Sequence, residues 1–170
     1  VNIYGNYITQ ENVIRNSLIT DEGDPFNKIL FNKSINNIKA KNIFASVKSK
    51  VQDGSTDNKK IIDITVEEKP TGEISAGAGT GTSGSSLSFG IKENNYMGKG
   101  VKLDSSLTLS DTSITGRLAI NQPNYKNTSK SLNTTFESSE TDLMSKFGYK
   151  NNKTGFSLGT SFEQYKDLYF

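Results

Sequence analysis

Val101-Lys102-Leu103-Asp104-Ser105-Ser106-Leu107-Thr108-Leu109-Ser110, followed two residues later by Ser113-Ile114-Thr115-Gly116-Arg117-Leu118-Ala119-Ile120-Asn121, is the stretch whose reading decides the fold. Val101, Leu103, Leu107 and Leu109 recur at even spacing, and so do Ile114, Leu118 and Ile120. The residues between them are small or hydrophilic, so each run has one apolar face. Leu87, Phe89 and Ile91 repeat the pattern upstream, and Phe156, Leu158 and Phe162 repeat it downstream against Gly155, Ser157, Gly159 and Ser161. Near residues 131–140 only Leu132 and Phe136 mark the same face. Six such runs lie between residues 73 and 164, uninterrupted by a helical pattern. A half-buried strand looks like this whether its apolar face meets a protein core or lipid. The choice between core and lipid decides the function.

Composition narrows the choice. Only 32% of the 170 residues are apolar, Trp is absent and the mean hydropathy is −0.56, which argues against a conventional water-soluble core. Strict alternation argues against disorder, which has no reason to keep a period of two. No run reaches the roughly 18 to 20 apolar residues of a membrane helix, so a membrane protein written this way must be a barrel. The net charge of +2 and the scattered lysines exclude a nucleic-acid surface. With no Cys and no His, the commonest nucleophile, acid-base and transition-metal arrangements are excluded. Neither cofactor nor metal is expected. Glu137, Glu140, Asp142, Glu163 and Asp167 supply carboxylates without a spacing that forces two together, and Asp53 to Asp57 lacks the ligand order of a calcium loop. An enzyme is not expected. The chain opens on a strand with no initiating Met and reads as the middle portion of a longer protein.

The first seventy residues read as strand, helix, helix, strand, strand. Residues 1–4 are a short strand closed by Gly5 and Asn6. Thr9 is expected to cap a helix over 10–18, with Val13, Ile14 and Leu18 inward. Asp24 and Pro25 are expected to open a second helix, with Phe26, Ile29, Leu30 and Ile38 as its buried stripe and Ile35 off it. Residues 43–52 and 61–68 are strands, the second placing Ile62, Ile64 and Val66 on one face. That order, with Gly5-Asn6, Glu22-Gly23-Asp24, Ile43-Phe44, Val47 and Glu67-Glu68 at its junctions, resembles a POTRA domain. The resemblance implies a domain over 1–69, a periplasmic module of the kind that precedes outer-membrane barrels.

After a linker at 70–72 comes Glu73-Ile74-Ser75-Ala76-Gly77-Ala78-Gly79-Thr80-Gly81-Thr82. Glycine at alternate positions strips one face of this strand, which is therefore expected to pair poorly. A hairpin at Ser83-Gly84 follows, then Asn95-Tyr96 with Gly98 and Gly100 as a tight reversal, and later Gln122-Pro123-Asn124-Tyr125. This junction resembles the BamA family of outer-membrane assembly factors. The resemblance implies an α+β POTRA domain followed by the first six strands, over 73–170, of an antiparallel transmembrane β-barrel. It places the Ser83-Gly84 tip, the turn at Ser110 to Ser113 and the region near Glu140 outside the cell, with the Tyr96 to Gly100 and Pro123 to Thr128 turns in the periplasm. Leu87, Phe89, Ile91, Val101, Leu103, Leu107, Leu109, Ile114, Leu118, Ile120, Phe156, Leu158 and Phe162 then face lipid. Tyr96, Tyr125, Tyr165 and Tyr169 fall at the periplasmic ends, where interfacial aromatics belong.

The resemblance also implies a function in a Gram-negative outer membrane. Residues 73–82 would be a lateral gate at which unfolded outer-membrane protein clients add strands through backbone hydrogen bonds. Their glycines have another explanation, a crowded barrel corner. Partner lipoproteins of the BAM complex would meet the acidic turn at Glu22 and Asp24, or the strand edge at Ser46, Val47, Lys48, Ser49, Lys50 and Val51. Sister families that assemble autotransporters or secrete in two-partner systems share this architecture. A secreted β-sandwich used for adhesion remains the alternative from another class, with a passive porin third.

Overall fold

The computed structural model describes residues 1–56, 59–81, 84–128, 130–165 and 168–169. The chain divides into two units, Val1–Thr71 with Asn95–Gly100, and Gly72–Asn94 with Val101–Phe170.

The first unit runs β1 (Asn2–Tyr4), α1 (Glu11–Arg15), α2 (Lys28–Ala40), β2 (Phe44–Asp53) and β3 (Lys60–Glu68). Its sheet has the order β1-β3-β2, with β1 parallel and β2 antiparallel to the central strand. The alternation of Ile62, Ile64 and Val66 turns them onto the helices, where they pack with Val13, Ile14, Phe31, Ile35, Ile38, Ile43 and Phe44. Burying each such side chain contributes roughly 1.5–3 kcal/mol.

Both helices start later than their sequence signals suggest. Gln10, not Thr9, occupies the N-cap of α1, because Thr9 is buried and its hydroxyl accepts a hydrogen bond from Asn95. In α2 the cap is Asn27, whose side-chain oxygen accepts from the N–H groups of Ile29 (2.9 Å) and Leu30 (3.2 Å). Asp24 instead closes a turn, accepting from the Asp21 N–H at 3.0 Å. The shifted start moves the stripe to Phe31, Ser34, Ile35 and Ile38, the i, i+3, i+4, i+7 set of one helix face. Ile35 is therefore core, while Phe26 and Ile29 are exposed. Ser34 is tolerated at its buried position because its hydroxyl donates to the Leu30 carbonyl and accepts from the Ile19 N–H.

The second unit is a meander of β4 (Gly72–Gly81), β5 (Gly84–Tyr96), β6 (Val101–Ser110), β7 (Ser113–Gln122), β8 (Ser131–Leu143) and β9 (Tyr149–Ser161), hydrogen-bonded in chain order into one six-stranded sheet. A 3-10 turn, Tyr125–Asn127, connects β7 to β8, and a short helix, α3 (Met144–Phe147), caps the hairpin of β8 and β9. That hairpin is longer than its apolar pattern suggests: β8 continues past Glu140 to Leu143, and the reversal falls at residues 144–148. A small hairpin of β10 (Glu163–Tyr165) and β11 (Leu168–Tyr169) follows. Thr82 and Ser83 lie outside the described residues, as do Asp57 and Asp167.

Candidate functional site

All ten residues of β4 find partners on β5, from Gly72 opposite Glu93 to Gly81 opposite Gly84. The expectation of poor pairing therefore fails for this neighbour. Backbone N–H and C=O groups pair without help from side chains. What β4 lacks is cross-strand packing, which contributes roughly 0.2–1 kcal/mol per pair. Ile74, Ala76 and Ala78 stand opposite Ile91, Phe89 and Leu87, and on the other face Ser75, Gly77 and Gly79 stand opposite Gly90, Ser88 and Ser86. Every β4 residue is exposed. Its second edge carries no partner strand among the described residues.

Crowding within the sheet does not explain the glycines in the C-terminal half of β4. A Cβ on Gly79 would meet only the Ser86 hydroxyl, at an ordinary 3.5 Å, and one on Gly81 would meet nothing within 4 Å. Gly77 is tighter, since an added methyl would lie 2.9 Å from the Ser88 hydroxyl, but that oxygen is the end of a rotatable side chain. Gly79→Ala is accordingly expected to stabilise β4 by about 0.5–1 kcal/mol. Slower hydrogen exchange across the β4–β5 ladder is the measurement that checks it.

The register assembles one continuous apolar face. Leu103 lies opposite Ile120 and Leu109 opposite Ile114; Leu118 lies opposite Phe136, and Phe136 opposite Phe156. Thr134 stands between Ile120 and Leu158. Leu87, Phe89, Ile91, Leu107, Ile114, Leu118, Ile120, Phe156 and Leu158 are all exposed, at 36–67%, while Leu103 and Leu109 are half-buried. Two of the expected outward residues depart from the set. Val101 is buried, and Phe162 lies past the end of β9 with the Lys130 ammonium 5.6 Å from its ring centre. The opposite face carries Lys102, Asp104, Arg117, Asn121, Asn133 and Glu137, polar side chains brought together by the same register. Asn121 donates to Asn133 there.

In the first unit the acidic turn is engaged internally. Arg15 reaches Glu22 at 2.8 Å and Glu11 at 2.6 Å. The Arg15 side chain, with the amino group of Val1 beside it, holds the Glu22 carboxyl below the usual range. Glu22 is thus ion-paired within the unit while its side chain stays 60% exposed, and Asp24 is exposed as well. Ser46, Val47, Lys48, Ser49, Lys50 and Val51 lie on β2, which among the described residues is an edge strand paired with β3 alone. Asp53, at the start of the segment that lacks calcium-ligand order, is ion-paired with Lys60.

Glu68 carries a role that the sequence pattern does not announce. Its carboxylate accepts from the backbone N–H groups of Ile8 (3.0 Å) and Thr9 (2.6 Å), pinning the loop before α1 to the end of β3. Burial disfavours its charge, but these hydrogen bonds and those from the Thr9 side chain and Tyr7 outweigh it and hold its pKa down. A depressed carboxyl pKa contributes stability that is complete above the unfolded value, about 4.3, and lost as pH falls through the folded value. Glu68→Gln should therefore flatten the acid limb of the first unit's stability profile. Melting curves from neutral to acidic pH check this, and parallel profiles for the two proteins would refute it.

Comparison with known proteins fits both units. Residues 1–69 match the model of the POTRA family, described as "Surface antigen variable number repeat". These residues are a POTRA domain. The whole chain, from POTRA domain to β9, has the fold of BamA. It superposes on BamA from Haemophilus ducreyi lacking POTRA domains 1-3 with a TM-score of 0.80 and 23% identity, over 95% of this chain and 32% of that one. CdiB from Acinetobacter baumannii (TM-score 0.60, 12% identity, 98% and 34% covered) and CdiB from Escherichia coli (TM-score 0.60, 14%, 97% and 33%) share the architecture. The chain thus spans about a third of the length of each of these structures. Its six-stranded meander is the opening part of a β-barrel fold.

Proposed function

We propose that this chain belongs to an outer-membrane assembly factor that folds and inserts β-barrel proteins, with its barrel in the outer membrane and its POTRA domain in the periplasm. The observation that carries the reading is β4, a strand whose ten residues pair fully with β5 through the backbone yet bring almost no side-chain packing. A strand held so little by side chains parts readily from a neighbour, and the edge it frees would accept a client strand through backbone hydrogen bonds that are indifferent to client sequence. The apolar outward face supports lipid as its surroundings. A β-sandwich would instead cover that face with a second sheet, and the second unit holds its six long strands in one. Unfolded outer-membrane proteins are the clients in this reading, and BAM lipoproteins the partners, met at the β2 edge.

The test is a disulfide in the full-length protein between a cysteine at Ser75 and one on the strand that closes the barrel. Oxidation should stop client insertion and reduction restore it; insertion that continues in the locked protein overturns the gate. A second reading, export of a dedicated substrate as in the two-partner secretion family that the sequence also resembles, is compatible with the same fold. The same lock would then block one secreted substrate and leave general barrel assembly intact.

A further inference from the structure

The turn between β6 and β7 is closed on itself and tied to its neighbours in the sheet. The Ser113 N–H donates to the Ser110 hydroxyl at 2.9 Å, the two hydroxyls lie 2.8 Å apart, and the Thr112 carbonyl accepts from the N–H of Asp142 on β8 at 2.8 Å. Between them is Asp111, the first residue past the end of β6. It exchanges two hydrogen bonds with Ser85, near the start of β5. Its N–H donates to the Ser85 carbonyl at 3.3 Å, and its Oδ2 accepts from the Ser85 N–H at 3.0 Å. A regular antiparallel pair exchanges both bonds through the backbone. Here a carboxylate oxygen takes the place of one carbonyl where β6 has already ended, so the pairing of β5 with β6 gains one rung. The approach is close: a Cβ on Gly84 would fall 3.0 Å from the Asp111 carboxylate carbon and closer still to Oδ2.

Ser85 and Gly84 are also the partners of Thr80 and Gly81, the last residues of β4. That end of β4 is exposed, and a Cβ on Gly81 would meet nothing within 4 Å. Its position therefore depends on where Gly84 and Ser85 are held. We infer that Asp111 is a positioning residue for the gate strand: its carboxylate fixes the first residues of β5, and these hold the C-terminal end of β4 through backbone pairing. An ionised acceptor suits this role because its hydrogen bonds are stronger than those of a neutral one. The rung stands on the sheet alone, whereas its assignment to the gate rests on the reading of β4 given above. A strand that offers one edge to a client must be held along the other, and a frayed end offers no template.

The test is amide hydrogen exchange on the full-length protein in lipid nanodiscs, with heat-modifiable gel mobility reporting that the barrel is folded in each variant. Asp111 is exposed, so truncating it leaves no cavity. Asp111→Ala should raise exchange at residues 79–81 and 84–86 by about tenfold and leave residues 73–76 as in the parent. Asp111→Asn, which keeps a side-chain oxygen in place, should restore most of the protection. Gly84→Ala displaces the carboxylate from the opposite side, so adding Asp111→Ala to it should change little. Insertion of an unfolded barrel client should slow in Asp111→Ala and recover in Asp111→Asn. Exchange unchanged in Asp111→Ala, or no better protected in Asp111→Asn, overturns the rung. Raised exchange with insertion unmoved removes Asp111 from the gate, whereas insertion that continues in the protein locked at Ser75 removes the gate and leaves the rung.

Discussion

Phe136→Arg is expected to destabilise the complete barrel in a bilayer by about 2–4 kcal/mol, whereas Ser157→Lys should cost close to nothing. Phe136 sits in the middle of β8, opposite Leu118 on one side and Phe156 on the other, and its ring is exposed. Ser157 lies on the adjacent strand, one residue along from Phe156, and pairs with Thr135 on the opposite face. The two sites share a sheet and a depth and differ in which side they face. If the outer surroundings are hydrocarbon, a guanidinium at 136 must be dehydrated or drawn toward the headgroups, while a lysine at 157 enters a polar interior. Denaturant unfolding in lipid vesicles measures both. If the costs are equal, or the larger penalty falls on Ser157→Lys, the apolar face is not the lipid face.

This asymmetry was legible in the sequence because a strand's period of two is a backbone property, so Leu103, Leu107 and Leu109 declare a common face with no knowledge of neighbours. Register was not legible. Nothing in the string says that Phe136 meets Phe156, since a polar strand such as β8 offers little pattern to align. Val101 was misassigned for the same reason: parity places it outward, but it is the first residue after the Gly100 turn and is buried. In the POTRA domain the strands were read closely and the helix starts were not. Thr9 and Asp24 are good capping residues in isolation, yet each is committed elsewhere, Thr9 to Asn95 and Asp24 to Asp21. Local propensity was overruled at Thr9 by a partner 86 residues away, and at Asp24 by a local turn that competes with the helix start. The spacing of Asn95, Gly98 and Gly100 announced a tight reversal, but only the fold reveals what the reversal holds.

The glycines illustrate the same division and lead to the second large effect. Gly5 and Gly23 both have positive φ, +87° and +102°. Replacing either with alanine incurs the cost of a left-handed or related conformation, about 1–3 kcal/mol. Their surroundings separate them. A Cβ at Gly23 would meet nothing within 4 Å, but one at Gly5 would lie 2.0 Å from the Val66 carbonyl oxygen. Val66 is on β3, the central strand, beside the fully buried Ile64. Real Cβ contacts essentially never fall under 3.0 Å, so β1 and β3 must separate by about an ångström and break the pairing of Tyr4 with Thr65. The core beneath them cannot follow without opening gaps, because close-packed interiors lose dispersion contacts steeply with distance. Gly5→Ala is therefore expected to unfold the POTRA domain at growth temperature or to raise amide exchange throughout β1 and β3, while Gly23→Ala confines its effect to the turn. Hydrogen exchange on the two variants compares them directly. Equal protection of β3 in both would mean that the close approach at Gly5 carries no weight and that conformation alone selects the glycine.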